Sequence, residues 1–260
     1  SAGWYRSNLN RGLFPTAGNS QRLSLKATIP SSDSTYFKVD FDTKFYYPLS
    51  NDHRWAFLSR LRLGYGNGYG DKDGHDQILP FTENFRAGGP DTMRGFENNT
   101  IGPRAIYRSS YQIPGGPDLG HNDTGVSGDG NVGLGPSYDT VEVSRRSVGG
   151  NALLVGGVEF IVPTPIIDDE FANSVRTSLF VDVGNVWDTE FNLDDYRDLP
   201  DSEFLNIGDY GKESAFRASA GVSVQWISPM GPMIFSLANT LRSEAGDDDR
   251  FFTFNIGNTF

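Results

Sequence analysis

The chain has 260 residues, a formal net charge of −11, 31 glycines, 19 phenylalanines and 11 tyrosines, but no cysteine. Without cysteine there is no disulfide framework and no thiolate chemistry, and the acidity opposes a nucleic-acid backbone as partner. No run comes near the roughly 18 apolar residues that a transmembrane helix needs. No signal peptide is legible, and Ser1-Ala2 start abruptly before Gly3-Trp4-Tyr5, as a trimmed or mature fragment would.

Read in chain order, the pattern has period two. Leu23, Leu25, Ala27 and Ile29 alternate with Ser24, Lys26 and Thr28. Phe37, Val39, Phe41, Phe45 and Tyr47 alternate with Lys38, Asp40, Asp42, Lys44 and Tyr46. Trp55, Phe57, Leu61, Leu63 and Tyr65 alternate with Arg60, Arg62 and Gly64. Short connections near residues 30–35 and 48–54 join these three strands. Residues 66–150 follow, a long polar, glycine-rich stretch with no convincing strand of its own. Such a loop argues against a compact soluble domain unless it is functional.

Alternation then resumes. Leu154, Val158, Phe160 and Val162 oppose Glu159, and Val175, Leu179, Val181 and Val183 oppose Arg176, Ser178 and Asp182. Phe216, Ala218, Ala220, Val222, Val224 and Trp226 oppose Arg217, Ser219, Ser223 and Gln225. A tight turn at Ser228-Pro229-Met230-Gly231 leads to Met233, Phe235 and Leu237, and Phe252, Phe254, Ile256 and Phe260 end the chain. This makes about eight strands, most near the length a tilted strand needs to cross a bilayer. Many short strands with glycine- and proline-rich turns predict an all-β sandwich or barrel, and residues 1–260 are read as a single, partial antiparallel barrel domain.

Periodicity alone does not say whether the apolar face points into a soluble core or out to lipid. Three details favour the membrane: aromatics at strand ends, such as Tyr36, Tyr47, Trp55, Trp187 and Trp226, as in an interfacial girdle; alternation of short and long connections; and an aromatic residue closing the last strand. Acidity concentrates in two of the longer connections, at Asp194, Asp195, Asp198, Asp201 and Glu203 and at Asp247-Asp248-Asp249.

The blocks between and within these strands resemble one family. Gly88-Gly89-Pro90-Asp91-Thr92-Met93-Arg94-Gly95-Phe96 is similar to the loop carrying the Val-Arg-Gly-Phe signature of BamA-type outer-membrane assembly factors. Asn10-Arg11-Gly12-Leu13-Phe14-Pro15-Thr16, Pro80-Phe81-Thr82-Glu83-Asn84-Phe85, Asn99-Thr100-Ile101-Gly102-Pro103, Glu159-Phe160-Ile161-Val162-Pro163, Asp182-Val183-Gly184-Asn185-Val186-Trp187-Asp188 and Gln225-Trp226-Ile227-Ser228-Pro229 match in order. The set is closer to that family than to TamA-like or two-partner-secretion relatives.

The resemblance implies the last eight strands of a sixteen-strand transmembrane barrel, without its amino-terminal POTRA domains. It implies folding and insertion of unfolded outer-membrane protein clients into the outer membrane, without ATP or a cofactor, together with accessory lipoproteins and membrane lipid. It also implies that Arg94, with Gly95 and Phe96, anchors the long loop by pairing with Glu159 and Asp182. An arginine fork can bridge two carboxylates on neighbouring strands; the plain alternative is a solvated loop arginine and two solvated acids. The last strand, with Phe252, Phe254, Ile256 and Phe260, resembles the signal by which clients are recognised, and Gly257 matches a glycine where the family strand kinks. An isolated fragment is expected to close on itself, the strand near Leu23 pairing with the strand near Phe254.

Other patterns are weak. Asp71-Lys72-Asp73-Gly74-His75-Asp76 resembles the start of a calcium loop but lacks the flanking helices and closing glutamate. His53, His75 and His121 lack metal-ligand spacing. No nucleophile–base–acid set stands out, so no enzyme is expected. The rival functions are a passive outer-membrane channel or porin, a soluble ligand-binding barrel, and an outer-membrane adhesin or hydrolase.

Overall fold

The computed structural model describes residues 1–29, 32–72, 74–114, 134–164, 174–197 and 207–256. Nine strands form one antiparallel sheet: β1 (Ala2–Ser7), β2 (Gly18–Ala27), β3 (Tyr36–Pro48), β4 (Ala56–Gly68), β9 (Ala152–Val162), β10 (Val175–Trp187), β11 (Arg217–Ser228), β12 (Gly231–Arg242) and β13 (Phe252–Ile256). Each pairs with the next in that order, so the sheet is an uncrossed meander apart from the excursion between β4 and β9. That excursion holds a minimal hairpin, β5 (Asp71–Lys72) with β6 (His75–Asp76), and a long one, β7 (Arg104–Pro114) with β8 (Leu134–Ser147).

The burial pattern decides what alternation left open. Leu179, Val181 and Val183 on β10, Val222 and Trp226 on β11, Leu237 on β12 and Phe252, Phe254 and Ile256 on β13 are exposed. On the opposite face Ser178, Asp182, Ser219 and Ser223 are fully buried. A soluble sheet buries its apolar face; here the apolar face is outside and the serines are inside, the pattern of a barrel wall against lipid. Exposed Tyr47, Trp55 and Trp226 all lie at the same end of the sheet. Among the described residues, no helix is long and apolar enough to cross a membrane.

The sheet curls. On a flat sheet β2 and β10 would stand four strand spacings apart, roughly 19 Å, yet the turn before β2 touches Arg176 of β10. What fills the concave side is chain, not only side chains. Phe85, Ala87, Met93, Phe96 and Ile101 from the excursion pack with Leu153 and Val155 of β9 and Val186 of β10 in an apolar cluster on the concave face. Burying each large side chain there contributes about 1.5–3 kcal/mol, enough to hold a long loop whose closure cost grows only slowly with length.

Three expectations are corrected. The main sheet has nine described strands rather than about eight, because β1 pairs with β2 along its whole length; its adjacent aromatics, Trp4 and Tyr5, give no alternation signal. The stretch 66–150 carries strands of its own: β4 extends to Gly68, and β7 and β8 pair only with each other. Third, the expected closing pair is not formed. Leu23 pairs with Trp4 and Phe41, Phe254 pairs with Phe235, and no pairing closes the sheet among the described residues. A barrel of about eight strands has room for side chains only, whereas this concave face accommodates a folded loop and needs a wider wall.

Candidate functional site

The loop is shaped before it is anchored. Gly88 and Gly89 take φ of 106° and 96° and Gly95 a φ of 89°, a region that side chains disfavour. Between them the chain ties itself: Thr92 Oγ1 donates to the Gly88 carbonyl (3.1 Å) and accepts from the Gly88 amide (3.0 Å). The Gly89 amide reaches the Met93 and Phe96 carbonyls at 3.0 and 3.1 Å. This compact turn projects Arg94 at the wall.

Arg94 is 4% exposed and meets three groups on β9 and β10. Its Nε and Nη2 donate to Oδ2 and Oδ1 of Asp182, both at 2.8 Å, and its own amide donates to Oδ2 at 3.2 Å. Its Nη1 lies 2.7 Å from Glu159 Oε1. The guanidinium stacks 3.5 Å from the Phe180 ring centroid, which lies between the two acids because Phe180 pairs directly with Glu159. Burial opposes the arginine's charge, but Glu159 and Asp182 outweigh it and hold the Arg94 pKa above its ordinary value. Ser178 Oγ donates to Glu159 at 3.0 Å, so the second carboxylate is oriented as well.

Asp182 serves a second cation. Arg60 of β4 places Nη2 2.8 Å from Asp182 Oδ2 and 3.0 Å from the Thr92 carbonyl of the loop. Two glycines make the room: a Cβ on Gly157 would fall 2.4 Å from Asp182 Oδ1, and one on Gly184 would fall 2.9 Å from the Met93 sulfur. The structure therefore brings Arg94, Glu159 and Asp182 together, and adds Arg60, Phe180 and Ser178. Sequence reasoning missed Arg60, although it stands on the polar face of a strand in an alternating pattern. The missing information was that β4 becomes β9's neighbour across the excursion, which only pairing reveals.

Gly95 and Phe96 continue the loop onto β11, β12 and the segment before β13. Ser219 Oγ donates to the Arg94 carbonyl at 2.5 Å, and the Gly95 carbonyl accepts from Thr240 Oγ1 (3.0 Å) and from the Arg250 amide (2.9 Å). Phe96 is fully buried and bridges to Asp249, and the Glu97 amide donates to the Asp248 carbonyl at 2.8 Å. The acidic tip before β13 is itself held by Arg217, whose Nε is 2.9 Å from Asp247 Oδ2. Arg104 donates to the Gly246 carbonyl from the base of the β7–β8 hairpin. Glu83 pins the other end of the loop, 2.5 Å from Lys26 Nζ and 3.7 Å from Lys38 Nζ.

The terminal-strand residues lie apart from this cluster. Phe252, Phe254 and Ile256 are exposed on the outer face, and Phe254 stacks on Phe235 at 4.9 Å. Gly257 and Phe260 lie outside the described residues. Among the described residues no group of three or more His, Asp or Glu could hold a metal ion. Residues 71–76 form the β5–β6 hairpin, Asp73 lying outside the described residues.

The Omp85 superfamily domain matches residues 1–260. The chain is 29% identical over a 266-position alignment to the outer membrane protein assembly factor BamA of Neisseria meningitidis serogroup B, covering 100% of this chain and 28% of that protein. It thus spans less than a third of that relative. Its fold is similar to the crystal structure of BamA from Haemophilus ducreyi lacking POTRA domains 1-3, with a TM-score of 0.74 and 36% identity over 97% of this chain and 40% of that one. The chain belongs to the Omp85 superfamily.

Proposed function

We propose that this chain is part of an outer-membrane β-barrel assembly factor that folds client outer-membrane proteins and inserts them into the bacterial outer membrane without ATP or a cofactor. The observation that carries the reading is the Arg94 clamp: a loop folded into the lumen and held by two buried carboxylates and a second arginine. Such a clamp braces the wall behind an edge that exchanges strands, a demand that solute passage does not make. The likeness of nearly all of this chain to part of BamA supports the same reading.

The driving force needs no nucleotide. A client strand in water leaves its apolar face hydrated and, once in lipid, must satisfy every backbone group by pairing. An exposed sheet edge offers that pairing one strand at a time, and a thinned bilayer beside the barrel lowers the barrier to entry. In this scheme Arg94, Gly95 and Phe96 with Glu159 and Asp182 hold the loop, while the terminal strand with Phe252, Phe254, Ile256, Gly257 and Phe260 forms the exchanging edge. Accessory lipoproteins and unfolded clients are its partners.

A passive channel is favoured by one observation, a cavity of about 650 Å³ lined by Arg22, Asp40, Lys44 and Arg62. One experiment separates the two. The complete protein in liposomes, as wild type and Arg94→Ala, is compared with empty vesicles for the folding rate of an unfolded client barrel. Acceleration reduced in the variant supports the insertase and its loop anchor. Solute leakage without acceleration supports the channel.

A further inference from the structure

The lumen has a second piece of chain folded across it, at the end opposite the Arg94 loop. Residues 8–17 join β1 to β2, and Leu9, Phe14 and Pro15 turn inward while Leu13 stays exposed. Phe14 is 7% exposed, Thr16 is 5% exposed, and Leu9 packs on a cluster of Tyr46, Ala56, Leu58 and Ile161 from β3, β4 and β9. The turn is held by its own asparagines. Asn10 Oδ1 accepts from the Thr16 and Ala17 amides at 3.0 and 3.2 Å, and Asn8 Oδ1 accepts from the Asn19 amide at 2.6 Å. Thr16 Oγ1 lies 3.0 Å from His53 Nδ1 in the neighbouring turn. Phe14 takes a positive φ of 49°, a conformation a bulky residue adopts only when its surroundings over-determine it.

What holds it to the far wall is Arg176. This arginine, on β10, is 6% exposed, and among the described residues no carboxylate forms an ion pair with it. Its Nη2 donates to the Pro15 carbonyl at 2.5 Å. Its guanidinium lies 4.9 Å from the Phe14 ring centroid and 5.9 Å from that of Tyr46. A buried cation with no carboxylate at ion-pair distance among the described residues is costly to hold. Its contacts are shared between the turn and Tyr46 of β3, on whose cluster Leu9 of the turn packs, so it ties the turn to the wall.

Above the turn lies the cavity of about 650 Å³, whose wall carries Arg22, Asp40, Asp42, Lys44, Arg60 and Arg62. Leu9 and Tyr46 line it from the turn side, and Asp91 and Thr92 of the Arg94 loop line it from the other. A space walled by that many charges holds water and small ions. We propose that residues 8–17 are a second plug, latched by Arg176, whose function is to keep this hydrated lumen closed to ions at the end away from the Arg94 loop. The proposal rests on the membrane-spanning reading and not on client insertion.

The chain has no cysteine, so single cysteines report cleanly. The complete protein is reconstituted in planar bilayers and in vesicles as wild type, Arg176→Met, Phe14→Ala and the comparison variant Arg197→Ala, in the exposed connection after β10, each also carrying Ala56→Cys beneath the plug. Arg176→Met and Phe14→Ala are expected to raise the time spent conducting, and the rate at which an impermeant maleimide labels residue 56, about tenfold. Arg197→Ala should match wild type. Variants that fold and float with vesicles yet conduct and label as wild type would overturn the seal. If Arg176→Met does not fold, the pair Thr16→Cys and His53→Cys decides. The oxidised staple should suppress residual openings and reductant restore them, and openings indifferent to the staple would overturn the proposal. Wild-type protein that stays out of the vesicles would overturn the membrane-spanning reading, and the seal with it.

Discussion

Gly157 and Asp182 face each other across the β9–β10 pair so closely that a Cβ on the glycine would lie 2.4 Å from the aspartate Oδ1 and 3.0 Å from Arg60 Nε. The carboxylate that receives both arginines therefore occupies space that only glycine leaves free. Gly157→Ala is expected to displace Asp182 or Arg60 at a cost of about 1–3 kcal/mol, the range for overpacking. A fall in the heat-modifiability midpoint of the barrel, with the loop becoming accessible to protease, is the expected result.

Asp182 accepts from the Arg94 side chain and amide and pairs with Arg60, whereas among the described residues Glu159 forms an ion pair with Arg94 alone. Removing one member of a buried pair leaves the other charge uncompensated, at about 3–5 kcal/mol. Asp182→Asn should therefore destabilise more than Glu159→Gln. In a double-mutant cycle, Arg94→Met should couple more strongly to Asp182→Asn than to Glu159→Gln. Equal coupling in denaturant titrations would contradict the two-arginine arrangement.

Arg60 holds Asp182 and the Thr92 carbonyl at once. Arg60→Met keeps an unbranched apolar stem and loses both contacts. Charge-assisted hydrogen bonds contribute about 1.5–3 kcal/mol each, so the variant should loosen the loop while leaving Arg94 in place. Hydrogen exchange at residues 88–96 should rise, with exchange in β11 and β12 unchanged.

Gly95 takes a φ of 89°, and a Cβ there would sit 3.0 Å from that of Ser219 and 3.3 Å from that of Ala238. Gly95→Ala adds backbone strain of about 1–3 kcal/mol and a wall contact at the same point. It should separate the loop from residues 248–250, seen as faster proteolysis at the acidic tip before β13.

Glu83 has its pKa lowered from 4.5, chiefly by the hydrogen bond from Lys26 and also by the Lys26 and Lys38 charges. A depressed carboxylate stabilises the folded state at pH values above 4.5, its unfolded value, and that contribution is lost as pH falls through the lowered folded value. The start of the loop should thus loosen in acid, read by protease or by a fluorophore near residue 81. Glu83→Gln should lose the added loosening below pH 4.5.

Much of this protein is legible in one dimension. Period two in residues 37–47 and 216–226 needs only the pleat, which sends neighbours to opposite faces whatever surrounds them. The order of Asn10-Arg11-Gly12, Met93-Arg94-Gly95-Phe96 and Asp182-Val183-Gly184 carries the family resemblance without any coordinates. The β7–β8 hairpin was hidden because a ribbon that pairs only with itself need not present one apolar face, and alternation is the trace of such a face. Which face looks outward was hidden for a different reason. Alternation is symmetric between a soluble core and a lipid wall, and the buried serines beside exposed Leu179 and Val222 break that symmetry only once the sheet has curled. The same curl brings Arg60, 34 positions before Arg94 in the chain, onto the same aspartate, and sets Arg176 over Phe14. Contacts of that kind depend on strand pairing and curvature, which single residues do not encode, so tertiary structure alone decided them.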